Sequence, residues 1–251
     1  MKLAVVIPLR NRAGMRLENC LRSLRGQKDV AADISIVLSD FGSTSPYREE
    51  IRELAARFDA RVVYTDTSET WNRSRALNNA LQTLAADVAF CTDADMIFQD
   101  NFVATILAEL SAEPSSMVLC RCRDLPESVE ERAYQTGDFA ELLSRSTLRQ
   151  AKGTGACQAA TVDWFRRVGG YDEKYVFWGF EDKDMHYRSQ ADGLASRWIH
   201  EKTAMLHQWH RTTKNDRYLL KWKNKLRYFL TRGRVVKGAS GRRSHGPGQL
   251  T

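Results

Sequence analysis

An α/β fold, a mostly parallel sheet flanked by helices, is the class this sequence predicts. Three observations carry that prediction. Short apolar runs alternate with helical patterns through the first half of the chain. The 251 residues suffice for one large α/β domain and do not require two. Two acids, Asp93 and Asp95, follow the fourth apolar run directly, at the strand end where such sheets bind ligands.

The elements follow in order. Residues 3–7 read as a first strand. Pro8, Arg10 and Arg12 break the apolar run too soon for a leader segment. Residues 15–24 carry Leu17, Leu21 and Leu24 at helical spacing. Residues 34–38 form the next strand, which ends in Asp40-Phe41-Gly42-Ser43-Thr44. A helix over 47–58 sets Ile51, Leu54, Ala55 and Phe58 on one face, and 61–64 make a third strand. Residues 72–84 form a helix with Ala76, Leu77, Ala80, Leu81 and Leu84 inward. Residues 88–91 are the fourth strand and 101–110 the next helix. This is the order of a parallel sheet with crossover helices.

The second half is less regular. Residues 117–120 read as a strand. Residues 126–150 are polar, with an amphipathic helix near 139–143. A short helix over 163–168 precedes the turn Gly169-Gly170. A helix spans 181–191, and 204–206 make a short strand before the histidines. Residues 216–230 predict a basic amphipathic helix with Leu219, Trp222, Leu226, Phe229 and Leu230 toward one side. Residues 238–251, rich in Gly, Ser, Arg and Pro, predict a disordered tail. The expected organisation is a domain over 1–213, with halves 1–98 and 99–213, then the basic helix over 214–237 and the tail.

Composition narrows the class. Hydrophobic residues make up 43% and charged residues 27%, as in a folded soluble protein. No run approaches 18 apolar residues, so no membrane-spanning helix is expected. The five cysteines form no zinc motif and read as buried thiols in a reducing compartment. The net charge is +7, and residues 214–243 hold a single acid, Asp216. Such a bias serves nucleic acid, an anionic membrane or an acidic acceptor, or is a solvated tail.

Four constellations carry chemistry. Asp93-Ala94-Asp95 places two carboxylates one residue apart at a strand mouth. They lie on opposite faces unless the chain turns. A divalent cation takes such hard oxygens beside phosphate. Arg10, Arg12, Arg73 and Arg75 can neutralise phosphate, since an arginine grips it bidentately and a helix start adds its positive end. Asn78 either binds substrate or caps local structure. Glu181 and Asp182, in Trp178-Gly179-Phe180-Glu181-Asp182, are candidates for base chemistry or for an acidic first helical turn, with Asp184 a rival. His207 and His210, in His207-Gln208-Trp209-His210, offer imidazoles. His207 ends the apolar run and is the favoured ligand, His210 the second choice. Trp178, Trp209, Tyr171, Tyr175 and Phe177 offer aromatic plates for a sugar ring or for a core.

In this order the motifs resemble the glycosyltransferases of GT-A fold, family 2. The second half resembles the galactosyltransferase-type C-terminal region shared with chondroitin-polymerase-like enzymes and β-1,4-galactosyltransferases. The resemblance covers about residues 2–210. It rests on Val6-Ile7-Pro8-Leu9-Arg10-Asn11-Arg12, Asp40-Phe41-Gly42-Ser43-Thr44, Trp71–Asn78, Asp93-Ala94-Asp95, Gly169-Gly170-Tyr171-Asp172-Glu173 and the Trp178–Asp182 loop. Phe41 stands where relatives more often carry a second acid, and Phe180 where they often carry a second glycine.

The resemblance implies a Rossmann-like sheet, an irregular acceptor-side region and inverting, metal-dependent transfer of a sugar. It implies a nucleotide-sugar donor held by Pro8, Arg10, Arg12, Asp40, Arg73, Arg75, Asn78, Asp93, Ala94 and Trp178. It implies Asp95 as metal ligand, with Asp93, His207 or His210 completing the set, for Mn²⁺ or alternatively Mg²⁺. It implies Asp182 as base and Glu181 as a sugar-holding group. The donor is expected to be a UDP-hexose or UDP-N-acetylhexosamine. The acceptor is expected to be a glycan or lipid-linked glycan of polysaccharide biosynthesis. The expected location is cytoplasmic, peripheral at the inner face of an anionic membrane, with no nucleic-acid partner and with a homo-oligomer as a further partner state. Alternatives are a GDP-mannose transferase, a sugar-phosphate nucleotidyltransferase and a non-catalytic polyanion binder.

Overall fold

The structure is a computed structural model and describes residues 1–150, 153–177, 179–211 and 218–237. Strand β1 (Lys2–Leu9) is buried from Leu3 onward, which requires cover on both faces. Its side chains alternate accordingly. Leu3, Val5, Ile7 and Leu9 enter one core cluster, Ala4 and Val6 the other. Helices α1 (Met15–Arg25) and α2 (Tyr47–Arg57) cover the first face through Leu17, Leu21, Leu24, Ile51 and Leu54. Helix α3 (Arg73–Leu81) covers the second through Leu77, Ala80 and Leu81. Asn72 caps α3 by accepting from the Arg75 amide at 2.9 Å.

Strands β2 (Asp33–Phe41), β3 (Ala60–Thr65) and β4 (Val88–Cys91) join β1 in parallel. After β4 come β5 (Met96–Phe98), α4 (Phe102–Ala112) and β6 (Ser116–Leu119). The polar middle folds as β7 (Arg123–Asp124), α5 (Ala133–Thr136), α6 (Phe139–Arg145) and β8 (Thr147–Leu148). The chain then runs through β9 (Gln158–Thr161), α7 (Val162–Arg167), α8 (Glu181–Ala191), β10 (Ala195–Trp198), β11 (Met205–His207) and α9 (Tyr218–Thr231).

Seven strands form one sheet in the order β10-β6-β9-β4-β1-β2-β3. Only β9 runs antiparallel, between β4 and β6. Strands from both expected halves therefore share one sheet. A second sheet, β5-β11-β7-β8, stands beside the carboxyl end of β4. It pairs β11 antiparallel to β5 and parallel to β7. That small sheet assembles the site, because it brings segments more than a hundred residues apart in sequence beside the Asp93–Asp95 turn. The expected tail, residues 238–251, lies outside the described residues.

Candidate functional site

The chain turns at Ala94 and Asp95, so the two carboxylates part. Asp93, expected among the metal ligands, pairs with Arg73 and lies outside the candidate metal group found among the described residues. Its Oδ1 accepts from Arg73 Nε at 3.0 Å and lies 2.9 Å from Nη2. The cause is Arg73 itself, which is buried and requires a counter-charge. Burial opposes the Arg73 charge, but Asp93 and then Glu181 hold it protonated well above its ordinary range. Arg73 Nη2 also donates to the Gly155 carbonyl at 2.7 Å, and Nη1 has no hydrogen-bond partner among the described residues.

Asp95 faces the histidines. The β11–β5 pairing and a bond from the Gln208 amide to the Asp95 carbonyl, 3.0 Å, fix the approach. Asp95 Oδ2 lies 3.2 Å from His210 Nε2 and 3.8 Å from His207 Nε2. One ligand atom from each of the three lies within 4.8 Å of the others. The sequence left His207 and His210 as alternatives, and the fold brings both to Asp95. Burial raises the Asp95 pKa, but the His210 hydrogen bond and the charges of His207, His210 and Arg12 more than reverse it. The His210 pKa is raised, chiefly by its bond to Asp95.

Two charged residues beside the histidines escaped the sequence reading. Asp124 Oδ1 lies 3.1 Å from His207 Nδ1, opposite it in the β7–β11 register. Arg149 grips Asp124 with two donors, Nε to Oδ2 at 2.9 Å and Nη2 to Oδ1. A hydrogen bond at Nδ1 leaves His207 Nε2 as the nitrogen that could meet a cation, as in carboxylate-supported metal histidines. Asp124, Arg149, His207, Trp209 and His210 line an open cleft of about 580 Å³.

Glu181 and Asp182 open α8. The approach is sharply bent, with φ of +102° at Gly179 and +76° at Phe180. The loop thus keeps the left-handed conformation that suits glycine even where phenylalanine stands. Phe180 packs on Tyr228 of α9, with ring centroids 5.6 Å apart. Asp182 Oδ2 accepts from Thr154 Oγ1 at 3.2 Å and from the Thr154 amide at 3.3 Å. Glu181 is buried, and its Oε2 has no hydrogen-bond partner among the described residues. Burial first, then the neighbouring Asp182, push its pKa up to about 7. Asp184, the rival base, is buried in ion pairs with Lys237 and Arg188. Trp178 lies outside the described residues.

The remaining predicted contacts divide. Asp40 is buried at the end of β2. One oxygen accepts from the Ser43 amide at 2.9 Å, and Oδ2 has no partner among the described residues. Arg10 donates to the Glu69 carbonyl, and Arg75 pairs with the Glu69 carboxylate at 2.6 Å. Arg12 is exposed beside Asp95. Asn78, left open between a substrate contact and a local structural role, has its side chain engaged by the 169–173 turn. It donates to the Tyr171 carbonyl and to Glu173, accepts from the Tyr171 amide, and so braces the 169–173 turn. Pro8 is buried within β1, which continues to Leu9 rather than ending. At Pro8 only β2 pairs with β1, because the β4 register stops at Val6, so the missing N–H costs no ladder bond on that side. Tyr171 and Tyr175 are core residues, and Trp209 is exposed at the cleft.

The two sides of the site are continuous. Arg73 links Asp93 to Gly155, and a Cβ placed on Gly155 would stand 3.5 Å from the Asp182 Cβ.

Comparison with known proteins bears on the family and the fold. A model described as glycosyl transferase family 2 matches residues 4–169, and one described as the N-terminal domain of galactosyltransferase matches residues 143–211. A validoxylamine A glucosyltransferase of Streptomyces hygroscopicus subsp. jinggangensis (strain 5008) is 27% identical over 76% of this chain and 52% of its own length. The chain thus spans about half the length of the curated relatives it matches. Among solved structures, GalNAc-T7 with UDP, GalNAc and Mn²⁺ superposes with a TM-score of 0.70 at 15% identity, covering 92% of this chain and 48% of that one. The mannosyltransferase PcManGT from Pyrobaculum calidifontis, in complex with GDP-Man and Mn²⁺, gives 0.60 at 17% identity, covering 92% and 62%. These likenesses establish the GT-A fold.

Proposed function

The chain belongs to glycosyl transferase family 2, and from that premise we propose that it transfers a hexose or N-acetylhexosamine from a UDP-sugar to a hydroxyl of a glycan or lipid-linked glycan, with inversion at the anomeric carbon. The observation that carries this reading is the meeting of two unlike clusters at the Asp93–Asp95 turn. Asp95, His207 and His210 form one, and Asp93, Arg73, Glu181 and Asp182 the other.

Asp95 with two imidazoles suits a divalent cation that accepts both oxygen and nitrogen, and Mn²⁺ is the first choice, with Mg²⁺ second. When bound, such a cation would neutralise the charge that gathers on the departing diphosphate. Asp124 orients His207, and Arg12 adds positive charge on the same side. Asp40, with one buried oxygen left over, is the proposed contact for the nucleotide base. Asp182 takes the proton of the attacking hydroxyl, which is a poor nucleophile until that proton leaves. Thr154 holds Oδ2, and no hydrogen bond among the described residues reaches Oδ1, which is the proposed accepting atom. Glu181, near neutrality in its pKa, holds a sugar hydroxyl as donor or acceptor. One base suffices when the leaving group is a diphosphate, so the paired carboxylates of glycoside hydrolysis are not needed.

GDP-mannose is the second donor reading, favoured by the likeness to a mannosyltransferase bound to GDP-Man. The five cysteines are free and buried, which supports a reducing, cytoplasmic setting. The test is thermal shift with nucleotide sugars and Mn²⁺, followed by product analysis. UDP-sugars should raise the melting temperature only with the cation. Asp95→Ala should abolish that rise. A cation-independent shift of equal size in the variant would remove Asp95 from the donor site, and a response to GDP-mannose alone would move the proposal to the second donor.

A further inference from the structure

Helix α9 has two faces of opposite character. The inward face is committed to the loop that carries Phe180. Arg227 pairs with Asp172 at 2.7 Å, Asn224 donates to the Val176 carbonyl at 3.0 Å, and Tyr228 packs on Phe180. Beyond the helix, Lys237 pairs with Asp184 inside the fold and holds the end of the element down. The other face carries Leu219, Trp222, Leu226, Phe229 and Leu230, each more than half exposed. At helical spacing these five share an arc of roughly 100°. Lys221, Lys225 and Arg232 lie along one border of that arc and Lys223 along the other, and α9 contains no acid. No helix among the described residues is long and apolar enough to cross a membrane.

We infer that α9 docks in the plane of an anionic lipid surface, its apolar arc in the headgroup boundary and its basic borders on the lipid charges. Charge complementarity selects this occupant. A second copy of α9 would set lysines against lysines. A nucleic acid would be met by the cations and would leave five large apolar side chains in water. A lipid interface satisfies both at once, because aromatic and leucine side chains enter the headgroup boundary while lysines remain at the phosphates. The inward contacts with Phe180 and Asp172 tie this surface to the segment that leads into Asp182. The further consequence, that the acceptor is itself membrane-held, rests on the transferase reading. The docking does not.

The test is flotation of the full chain with vesicles of phosphatidylcholine alone and of phosphatidylcholine with 30% phosphatidylglycerol. Binding should appear with the anionic vesicles only and weaken at high salt. Neutralising Lys223 or Lys225 to Gln should in each case cost about fivefold in affinity. The double variant Leu226→Ser and Phe229→Ser alters only exposed side chains and should lose binding at least tenfold, while metal-dependent UDP-sugar hydrolysis in solution stays unchanged. Vesicle binding that survives the double variant, or a dimer in light scattering that the double variant dissolves, would overturn the proposal. Loss of hydrolysis in the unaltered chain would count against the transferase reading and leave the docking result standing.

Discussion

Asp124 stands 3.1 Å from His207 Nδ1 and turns the opposite nitrogen of that ring toward Asp95. The contact sets which nitrogen is available to a cation, and Arg149 keeps Asp124 ionised. The Asp124 carboxyl pays a desolvation cost, but the Arg149 bonds and the His207 charge lower its pKa overall. Asp124→Asn keeps the shape and removes the charge. It should weaken Mn²⁺ affinity by about 10–100-fold, the usual cost of losing such a supporting group. Isothermal titration with Mn²⁺ checks this, and an unchanged affinity would mean that His207 is oriented by other contacts.

Glu181 supplies a pH dependence of known sign. Its ordinary value of 4.5 rises to about 7 in the fold. Between those values the folded chain keeps a proton that the unfolded chain releases. The stabilisation is therefore complete below about pH 4.5 and is lost as pH rises through 7. At most about 3 kcal/mol is involved. Glu181→Gln removes the titration, so its melting temperature should gain on the unaltered protein as pH rises from 5 to 8. Melting curves without metal or donor measure the difference, in which titrating groups remote from Glu181 cancel. A constant gap would show that Glu181 ionises normally.

Much of this fold was legible because its first half obeys simple periods. β1 reads as a strand from its apolar run, and α2 from Ile51, Leu54 and Ala55 on one face. The strands that were missed lack such runs. β9 is Gln158-Ala159-Ala160-Thr161 and β10 is Ala195-Ser196-Arg197-Trp198, and both become strands through pairing with distant partners. The acids and histidines of the site stood out as residue types at a strand end. Their pairing did not. Nothing in the sequence says that Asp93 serves Arg73, or that a two-residue strand carries Asp124 to His207, because both follow from tertiary contacts alone. Asn78 stayed open in the sequence for a related reason, since a buried amide that braces a turn carries the same letter as one that binds a ligand.

Phe180 offers a test of backbone strain separated from packing. A non-glycine residue at φ +76° costs roughly 1 kcal/mol relative to glycine. Phe180→Ala loses the Tyr228 contact and keeps the strain, whereas Phe180→Gly loses the contact and relieves it. The glycine variant should therefore be the more stable of the two by about 1 kcal/mol, the reverse of their order inside an ordinary helix. Urea denaturation of both variants decides it. An alanine variant as stable as the glycine one would mean that residue 180 leaves the left-handed region once the ring is gone.

Asp182 carries the sharpest prediction, because its neighbours separate binding from chemistry. Its carboxylate bonds to Thr154, while its main-chain carbonyl accepts from Gln158 Nε2 at 2.9 Å, so the backbone stays anchored whatever the side chain. Asp182→Asn should then leave the loop in place. The candidate cation set of Asp95, His207 and His210 contains no atom of Asp182, so donor binding should hold within a factor of about two to three of the original. Transfer should fall by about 10²–10⁴, the usual worth of a positioned base. Steady-state transfer and donor titration on the same preparation supply both readouts. An equal loss in the two would make Asp182 a donor contact, and full transfer activity would hand the proton to another group, with Glu181 the nearest carboxyl able to take it.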